Sequence, residues 1–409
     1  MLQSKLPSNS QWVIVTVKQP VMWHQTDDET WLFNPGRRYI INAARIPAIH
    51  PYIESLSELD GASLLNRLHA GANITGSRIL VERFRERGIG DLLFLTGPLL
   101  YMYSTSGANL KVHLYALSDR GMILRYAPFL DGGTVFCGPV EYDNLRNYNY
   151  HWLISSVTEC DEESDQLNVY DALYKQLGFE PETIEPRWKR PYAYLADEDY
   201  KHLDMLYQWI WQTRKIDLRR IGYYVVAPFS NATLRCMDYA KWLLIVKTLA
   251  ARRPVLVVGL SHMKLPDMDM SAGNFLEKVV SAHQLVVNVV DVTPLRTLLA
   301  LIQRAACIFS LDSAPLYMAQ AVNTPAISFW GTHDPGVRIG YSPEYMAGAI
   351  WDAAACDEAP CYAYAQFPHH KCPKRDQQAI CECFNSVSVN AVLSRLDKIE
   401  SGRVAMTKP

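Results

Sequence analysis

Residues 309–331, FSLDSAPLYMAQAVNTPAISFWG, decide the fold of this chain. They predict a strand, a tight turn, a helix and a second strand, because apolar runs flank Asp312 and Ser313, residue types that favour helix starts. Pro315 fits the first turn of that helix, where a backbone N–H needs no intrahelical partner. A helix that begins at the carboxyl edge of a parallel sheet turns free N–H groups and its positive dipole end towards a ligand. The segment therefore predicts a site for a phosphate or similar anion in the last third of the chain.

Strand-like apolar runs alternate with helical patterns in two series. The later series has predicted strands at 223–228, 254–260, 285–290, 306–310 and 324–329. The earlier series has predicted strands at 78–84, 110–117 and 133–140, with an apolar helix at 91–103. Such alternation is typical of parallel, doubly wound sheets. We expect an α/β protein with two Rossmann-like domains facing a cleft.

Changes in this pattern set the expected domain boundaries. Residues 1–76 are rich in β-branched and aromatic residues around turn signals, and they predict a small β-rich accessory unit. We expect an acceptor-side Rossmann-like domain at 77–205 and a donor-binding one at 206–355. Residues 356–409 are expected to form a cysteine-rich segment and a C-terminal helix.

The composition limits the classes of partner. The chain has 409 residues, 49% of them hydrophobic, which is enough for two domains and a smaller piece. A net charge of −2 gives no overall attraction to nucleic acid or anionic membranes. The first twenty residues lack the pattern of a secretion signal, and no apolar run reaches the ~18 residues of a transmembrane helix. We expect a cytoplasmic protein that can work at the inner face of the membrane.

Three motifs follow predicted strands. They are the turn GIGD at 88–91, the loop PFSNATLR at 228–235 and the run DSAPLYMAQA at 312–321, which is followed by Pro325 and by FWG at 329–331. Together they resemble glycosyltransferase family nine, the heptosyltransferases of GT-B fold, over residues 78–383. The resemblance implies transfer of a sugar from a nucleotide sugar, with inversion at the anomeric carbon and no catalytic metal.

The first motif supplies the expected acceptor side of the reaction. The resemblance implies that Asp91 is the catalytic base, which takes the proton of the attacking hydroxyl. The alternative is that Asp91 only caps its helix, and the two roles can coexist. Gly88 and Gly90 allow a tight turn and close approach of the substrate, although glycine turns after strands are common.

The other two motifs supply the expected donor site. Ser230 and Arg235 are candidates for the donor diphosphate, because a cation and oriented donors stabilise a leaving phosphate without a metal. The alternative for Arg235 is a plain surface arginine. Asp312 and Ser313, with backbone N–H groups near Ser313 and Ala314, are expected to hold the donor, with Asp312 bonding a sugar or ribose hydroxyl. The alternative for this pair is helix capping alone.

Two residues of the third motif depart from the family pattern. Ala314 stands where the family has Gly, which restricts the approach of a ligand to the backbone, and Tyr317 stands where the family has His. We include both among the donor-site residues and do not name the sugar. His333 and Asp334 follow in a loop that either edges the cleft or has no part in it.

The cysteine-rich segment leaves three possibilities open. It contains Cys356, Cys361, Cys372, Cys381 and Cys383. Thiolates suit tetrahedral zinc, so a structural zinc is one hypothesis, and reduced thiols or a disulfide are the others, because the spacing lacks paired CxxC motifs. The nine cysteines of a chain without a secretion signal argue against a disulfide framework.

The expected partners are a nucleotide-diphosphate sugar and a glycan or lipid-linked glycan acceptor, such as lipopolysaccharide. A second hypothesis is transfer to a hydroxylated base in DNA, as some phage enzymes do, because basic residues cluster at 78–87 and 187–190. A third is a catalytically degenerate GT-B scaffold, since Ala314 and Tyr317 depart from the family.

Overall fold

The computed structural model describes most of the chain. The described residues are 12–26, 29–58, 69, 71–83, 88–116, 118–136, 138–154, 166–230, 235–260, 272–356, 359–361, 382–384 and 386–402. The chain divides into two compact units. The first comprises Met1–Glu159 and Ala172–Thr183, and the second comprises Cys160–Asp171 and Ile184–Pro409.

The first unit begins with an antiparallel sheet. Its strand β1 (Trp12–Val17) has alternating valines, and Val13, Val15 and Val17 are fully buried, as expected when one face of a strand meets a core. The two strands β2 (Val21–Thr26) and β3 (Glu29–Phe33) form a separate hairpin. The sheet has the order β5-β1-β4-β9, completed by β4 (Arg38–Asn42), β5 (Ile53–Glu58) and β9 (Val140–Glu141).

A parallel sheet of order β10-β6-β7-β8 follows in the same unit. Its strands are β6 (Arg78–Arg83), β7 (Lys111–Tyr115), β8 (Leu130–Phe136) and β10 (Tyr150–Ile154). Its helices are α2 (Ile89–Thr105) and the short α3 (Ser118–Gly121), while α1 (Ile46–Ile49) belongs to the N-terminal part. Leu80 of β6 packs with Ile40 of β4 and Val140 of β9, so the antiparallel sheet covers the face of the parallel sheet that carries Leu80.

An arginine and a glutamic acid are buried together in the first unit. Arg45 Nη1 lies 3.8 Å from Glu82 Oε1, and their side chains are only 7% and 3% exposed. The Arg45 guanidinium also lies 4.3 Å from the ring centre of Trp31, a cation–π contact. Burial raises the pKa of Glu82 to about 8, although Arg45 opposes the shift. The carboxyl is therefore mostly protonated at neutral pH.

The second unit contains a six-stranded parallel sheet of order β13-β12-β11-β14-β15-β16. Its strands are β11 (Tyr224–Ala227), β12 (Val255–Val257), β13 (Val286–Asn288), β14 (Cys307–Leu311), β15 (Ala326–Phe329) and β16 (Ala349–Ile350). Numbered within the unit, the order is 3-2-1-4-5-6, the Rossmann order. β11, β12, β14 and β15 are buried throughout, as expected of a sheet covered on both faces.

Helices flank this sheet. They are α5 (Asp197–Arg214), α6 (Leu218–Ile221), α7 (Tyr239–Ala250), α8 (Ala272–Ser281), α9 (Leu295–Arg304), α10 (Ala314–Ala321), α11 (Gly336–Ile339), α12 (Pro343–Gly348) and α13 (Val389–Glu400). The remaining helix, α4 (Val169–Gln176), spans the boundary between the two units. In the part of the chain that the structure describes, no helix is both long and apolar enough to span a bilayer.

Candidate functional site

The strand order of the second unit defines the position of its ligand site. The order changes direction between β11 and β14, which pair in parallel with Ala227 opposite Ser310. Ligands of such sheets bind beyond the carboxyl ends of the strands at this switch point. Arg235 lies on the segment after β11, and Ser313 lies directly after β14. Two motifs that the sequence singles out are thus brought to one edge of the sheet.

The N terminus of α10 lacks a side-chain cap. Ser313 occupies the N-cap position, but its Oγ donates to the carbonyl oxygen of Leu311 at 3.4 Å and makes no capping bond. Pro315 occupies the first helical turn, as the sequence predicts. Ser313, Ala314 and Pro315 are partly exposed, whereas the following turn is buried. Pro315 has no N–H, and the N–H of Leu316 donates to the carbonyl oxygen of Ser313 at 3.0 Å. The N–H of Ala314 therefore remains at this helix start without a side-chain cap.

Arg235 is fixed beside this helix start. Its Nη1 donates to the carbonyl oxygen of Asp312 at 3.2 Å and lies 3.8 Å from Oδ2 of the same residue. The Arg235 side chain is 19% exposed, whereas that of Asp312 is 5% exposed. The guanidinium is thus anchored at the start of α10 and stays partly exposed, as expected of an arginine that binds an anion.

The carboxylate of Asp312 is surrounded by protein groups. The phenol of Tyr317 donates to Oδ1, and Nδ1 of His333 lies 3.0 Å from Oδ2. Burial alone would raise the pKa of the Asp312 carboxyl, but Arg235, with His333 and Arg338, holds it well below its usual range. Burial and the adjacent carboxylate raise the pKa of Tyr317 well above its usual value, so the phenol stays protonated.

His333 extends this cluster to Arg338 on α11. The Nη2 atom of Arg338 lies 3.2 Å from Nε2 of His333. Burial, together with the charge of Arg338, lowers the pKa of His333 to about 3, so the imidazole is neutral at physiological pH. A guanidinium can only donate, so Nε2 accepts and the single ring proton is on Nδ1, facing Asp312.

Two of these residues carried little signal in the sequence. The sequence predicts for His333 either a place at the edge of the site or no part in it, and the structure buries it against Asp312, at 1% exposure. Arg338 was not singled out at all. The burial of both His333 and Arg338 results from the folding of the loop after β15, and their spacing in the sequence does not indicate it.

The remaining predicted donor residues lie on the same loops. Ser230 follows β11 and is 3% exposed, and Asn231–Leu234 lie outside the described residues. Ala314 is the first residue of α10. The sequence-based roles of these residues stay predictions.

The glycine turn of the first unit holds Asp91 at the start of α2. Gly88 is the N-cap, and Asp91 lies in the first helical turn and is partly exposed. A Cβ placed on Gly88 would overlap Oδ2 of Asp91, so the carboxylate occupies the space that the missing side chain leaves. Gly90 is buried within the first turn. The predicted role of Asp91 as base stays a prediction.

The cysteine segment packs beside the loop that carries His333. Cys356, Cys361 and Cys383 are buried in the main core of the second unit. The backbone N–H of Cys361 donates to the carbonyl oxygen of Thr332 at 3.0 Å, and a Cβ on Gly331 would lie 3.2 Å from Cβ of Cys383. Cys372 and Cys381 lie outside the described residues, and among those described no three His, Cys, Asp or Glu side chains form a metal-ligand group.

Comparisons with known proteins agree with the sequence motifs. The model of "Glycosyltransferase family 9 (heptosyltransferase)" matches residues 271–363, which include the α10 motif. Lipopolysaccharide heptosyltransferase 3 of Escherichia coli is 32% identical over 131 residues, or 31% of this chain, and the match spans 36% of that relative. The resemblance to family 9 is confirmed.

Solved structures show the fold. The E. coli ADP-heptose LPS heptosyltransferase II is 12% identical, with a TM-score of 0.53, and the match covers 80% of this chain and all of that one (100%). The iron-containing dodecameric glycosyltransferase TibC of enterotoxigenic E. coli is 13% identical, with a TM-score of 0.54, and the match covers 97% of this chain and 93% of TibC. The predicted fold class, GT-B with a β-rich N-terminal region, is confirmed.

Proposed function

We propose that this protein transfers a sugar from a nucleotide-diphosphate donor to a hydroxyl group of a glycan acceptor. The observation that carries the proposal is the arrangement at the switch point of the second unit. There the Arg235 guanidinium, whose side chain is 19% exposed, bonds the carbonyl oxygen of Asp312, two residues before the first residue of α10. A cation beside the positive end of a helix that lacks a side-chain cap suits a diphosphate, whose charge grows as the sugar–phosphate bond breaks.

The chemistry of the acceptor is assigned to the first unit. Asp91 is the proposed base, because a partly exposed carboxylate at a helix start can accept the proton of a hydroxyl group. Direct attack of that hydroxyl on the anomeric carbon gives inversion. The names of the relatives support a heptose donor linked to ADP and a lipopolysaccharide acceptor. A lipid-linked acceptor would bring the reaction to the inner face of the cytoplasmic membrane.

Nothing in these comparisons supports DNA as the acceptor. The degenerate scaffold remains testable, because it predicts that donors bind without being consumed. Donor binding and sugar transfer can be measured separately, with variants in different units.

The test is a thermal-shift screen with ADP-, UDP- and GDP-sugars, followed by transfer assays. Wild type should be stabilised by one nucleotide class, Arg235→Ala should lose that shift, and Asp91→Asn should keep the shift but lose transfer. If no nucleotide sugar changes the melting temperature of the wild type, the proposal is wrong. Donor binding without turnover to any glycan or lipopolysaccharide acceptor would favour the scaffold.

A structural metal on the cysteine segment is a separate proposal. Thiols are a donor type that zinc and iron both accept, but the three described cysteines of this segment, Cys356, Cys361 and Cys383, do not by themselves form a ligand group. TibC, which matches the fold over nearly the whole chain, is described as iron-containing. Elemental analysis of the purified protein should find close to one zinc or iron per chain, and Cys361→Ser should reduce it. A metal-free, fully active wild type would contradict this proposal.

A further inference from the structure

We propose that Asp312, Tyr317 and His333 do not contact the donor but form a closed network that positions Arg235 for the diphosphate. This role replaces the hydroxyl contact that the sequence suggests for Asp312. The inference rests on the proposed function, because it assigns the anion at Arg235 to a nucleoside diphosphate.

Both carboxylate oxygens of Asp312 already face protein partners. Tyr317 donates to Oδ1 from the second turn of α10, and Oδ2 faces His333 at 3.0 Å and Arg235 at 3.8 Å. The Asp312 side chain is 5% exposed. A sugar hydroxyl would have to displace the Tyr317 phenol, which is itself buried at 3% exposure. Asp312 is therefore closed to the donor by its own helix.

The groups of the network have defined donor and acceptor directions. Arg338 donates to His333, which leaves the ring proton of His333 on Nδ1, directed at Asp312. Tyr317 can only donate to a carboxylate, since burial keeps the phenol protonated. The Arg338–His333 and Tyr317–Asp312 hydrogen bonds thus fix groups on two sides of the carboxylate. Its Oδ2 lies 3.0 Å from Nδ1 of His333 and 3.8 Å from Nη1 of Arg235, the last contact in the series.

The charges within the network do not cancel. The network contains two guanidinium groups, Arg235 and Arg338, and one carboxylate, Asp312, while His333 and Tyr317 are neutral. One positive charge is therefore left over in a largely buried cluster. Arg338 is 4% exposed and Arg235 is the more accessible of the two cations, so the excess charge is presented at Arg235. A bound diphosphate supplies the missing negative charge.

The test compares two buried tyrosines of the same unit. Tyr317→Phe removes the bond to Asp312 and keeps the ring. The matched control is Tyr345→Phe, because Tyr345 is also buried but donates to the carbonyl oxygens of Ala319 and Thr324 outside the network. Binding of ADP, UDP and GDP, and of the corresponding monophosphates, is measured by calorimetry, with the unfolding temperature of each variant.

The network predicts a selective loss. Tyr317→Phe should weaken binding of the preferred nucleoside diphosphate by about tenfold, as expected when a charge-assisted contact is misplaced, with little effect on the monophosphate. Tyr345→Phe should lower the unfolding temperature without changing the diphosphate preference. In transfer assays with Tyr317→Phe, KM for the nucleotide sugar should rise while kcat changes little.

A spectroscopic readout tests the network without any ligand. With ¹⁵N-labelled histidine, and with the signal assigned through His333→Gln, the His333 ring should show protonation at Nδ1 only and no titration between pH 5 and 8. In Asp312→Asn the ring should lose this fixed tautomer. A titrating ring, or one protonated at Nε2, would overturn the network even where donor binding is normal.

The outcomes separate the two proposals. If the wild type binds no nucleoside diphosphate, the proposed function fails, and the role of Arg235 fails with it, whatever the histidine signal shows. If the wild type binds one and Tyr317→Phe binds it equally well, only the network is overturned. It is also overturned if Tyr317→Phe binds the diphosphate normally but loses discrimination between sugars, since Tyr317 or Asp312 would then contact the donor sugar.

Discussion

The carboxylate of Asp91 folds back over Gly88, into the space that a side chain at position 88 would fill. The backbone of Gly88 has φ −112° and ψ 121°, a conformation open to any residue, so the glycine is needed here for space. The position of the proposed base, Asp91, therefore depends on the lack of a Cβ atom at Gly88.

We predict that Gly88→Ala reduces transfer strongly while leaving the protein folded. The new methyl group would push the Asp91 carboxylate aside, and a displacement of about 1 Å can cost roughly 10²-fold in rate. The measurement is kcat for transfer together with circular dichroism. Gly71→Ala is the control, because its Cβ would meet no atom closer than 3.5 Å, at His69. Full activity in Gly88→Ala would show that the position of Asp91 does not limit the reaction.

Arg235 should respond differently to lysine and to alanine. Lysine keeps the positive charge but cannot bond the Asp312 carbonyl oxygen and a diphosphate with the same planar group. We expect Arg235→Lys to weaken ADP binding by about tenfold and Arg235→Ala by roughly a hundredfold, from the strength of charged hydrogen bonds. Calorimetry with ADP provides the measurement. The exposed Arg187→Lys should leave binding unchanged, and equal losses in both Arg235 variants would argue against a bidentate role.

Glu82 should make stability depend on pH. Its pKa in the folded protein is about 8, above the ordinary value of 4.5, so the folded state holds a proton that the unfolded state releases. Its stabilising contribution is therefore complete below about pH 4.5 and is lost as the pH rises from there through about 8, at about 1.4 kcal/mol per pH unit. Urea unfolding between pH 5 and 8.5 should show this fall in wild type.

Glu82→Gln should remove this part of the pH dependence, since the amide imitates the protonated acid. The exposed Glu54→Gln in the same unit serves as the control and should follow wild type. Parallel stability curves for wild type and Glu82→Gln would mean that the carboxyl is ionised throughout this range.

Gly331 should link the cysteine segment to the donor site. A Cβ at this position would lie 3.0 Å from ring atoms of Phe384 and 3.2 Å from Cys383, closer than ordinary packing allows. We predict that Gly331→Ala costs about 1–3 kcal/mol of stability through overpacking and also weakens ADP binding, because His333 lies two residues later. Thermal unfolding and calorimetry check the two effects. A loss of stability with unchanged ADP binding would separate the segment from the site.

The sequence predicted the second unit well because its signals are local. Buried strands such as β14 are short apolar runs, and the helix start at Ser313 and Pro315 is encoded by adjacent residues. The family resemblance assigns both Arg235 and Asp312 to the donor site, and the parallel pairing of β11 with β14 brings their segments to one edge of the sheet.

The residues that the sequence missed depend on contacts that are distant along the chain. Nothing around Glu82 shows that it will be buried against Arg45, which lies in a short 3-10 helix 37 residues earlier in the chain. The hydrogen bond from Tyr317 to Asp312 could not be inferred either, because the spacing of the two residues does not show that both side chains are buried together. Burial of polar groups is a property of tertiary packing, and local patterns do not encode it.

The pairing of β4 with β9 has a consequence for synthesis of the chain. Tyr39 pairs with Glu141, and Ile40 with Val140, across about a hundred intervening residues. During translation the amino-terminal sheet must wait for those residues to leave the ribosome before its last strand can be added. Until then, the Ile40 side chain has no Val140 or Leu145 to cover it, so an apolar surface of the nascent chain stays exposed to water.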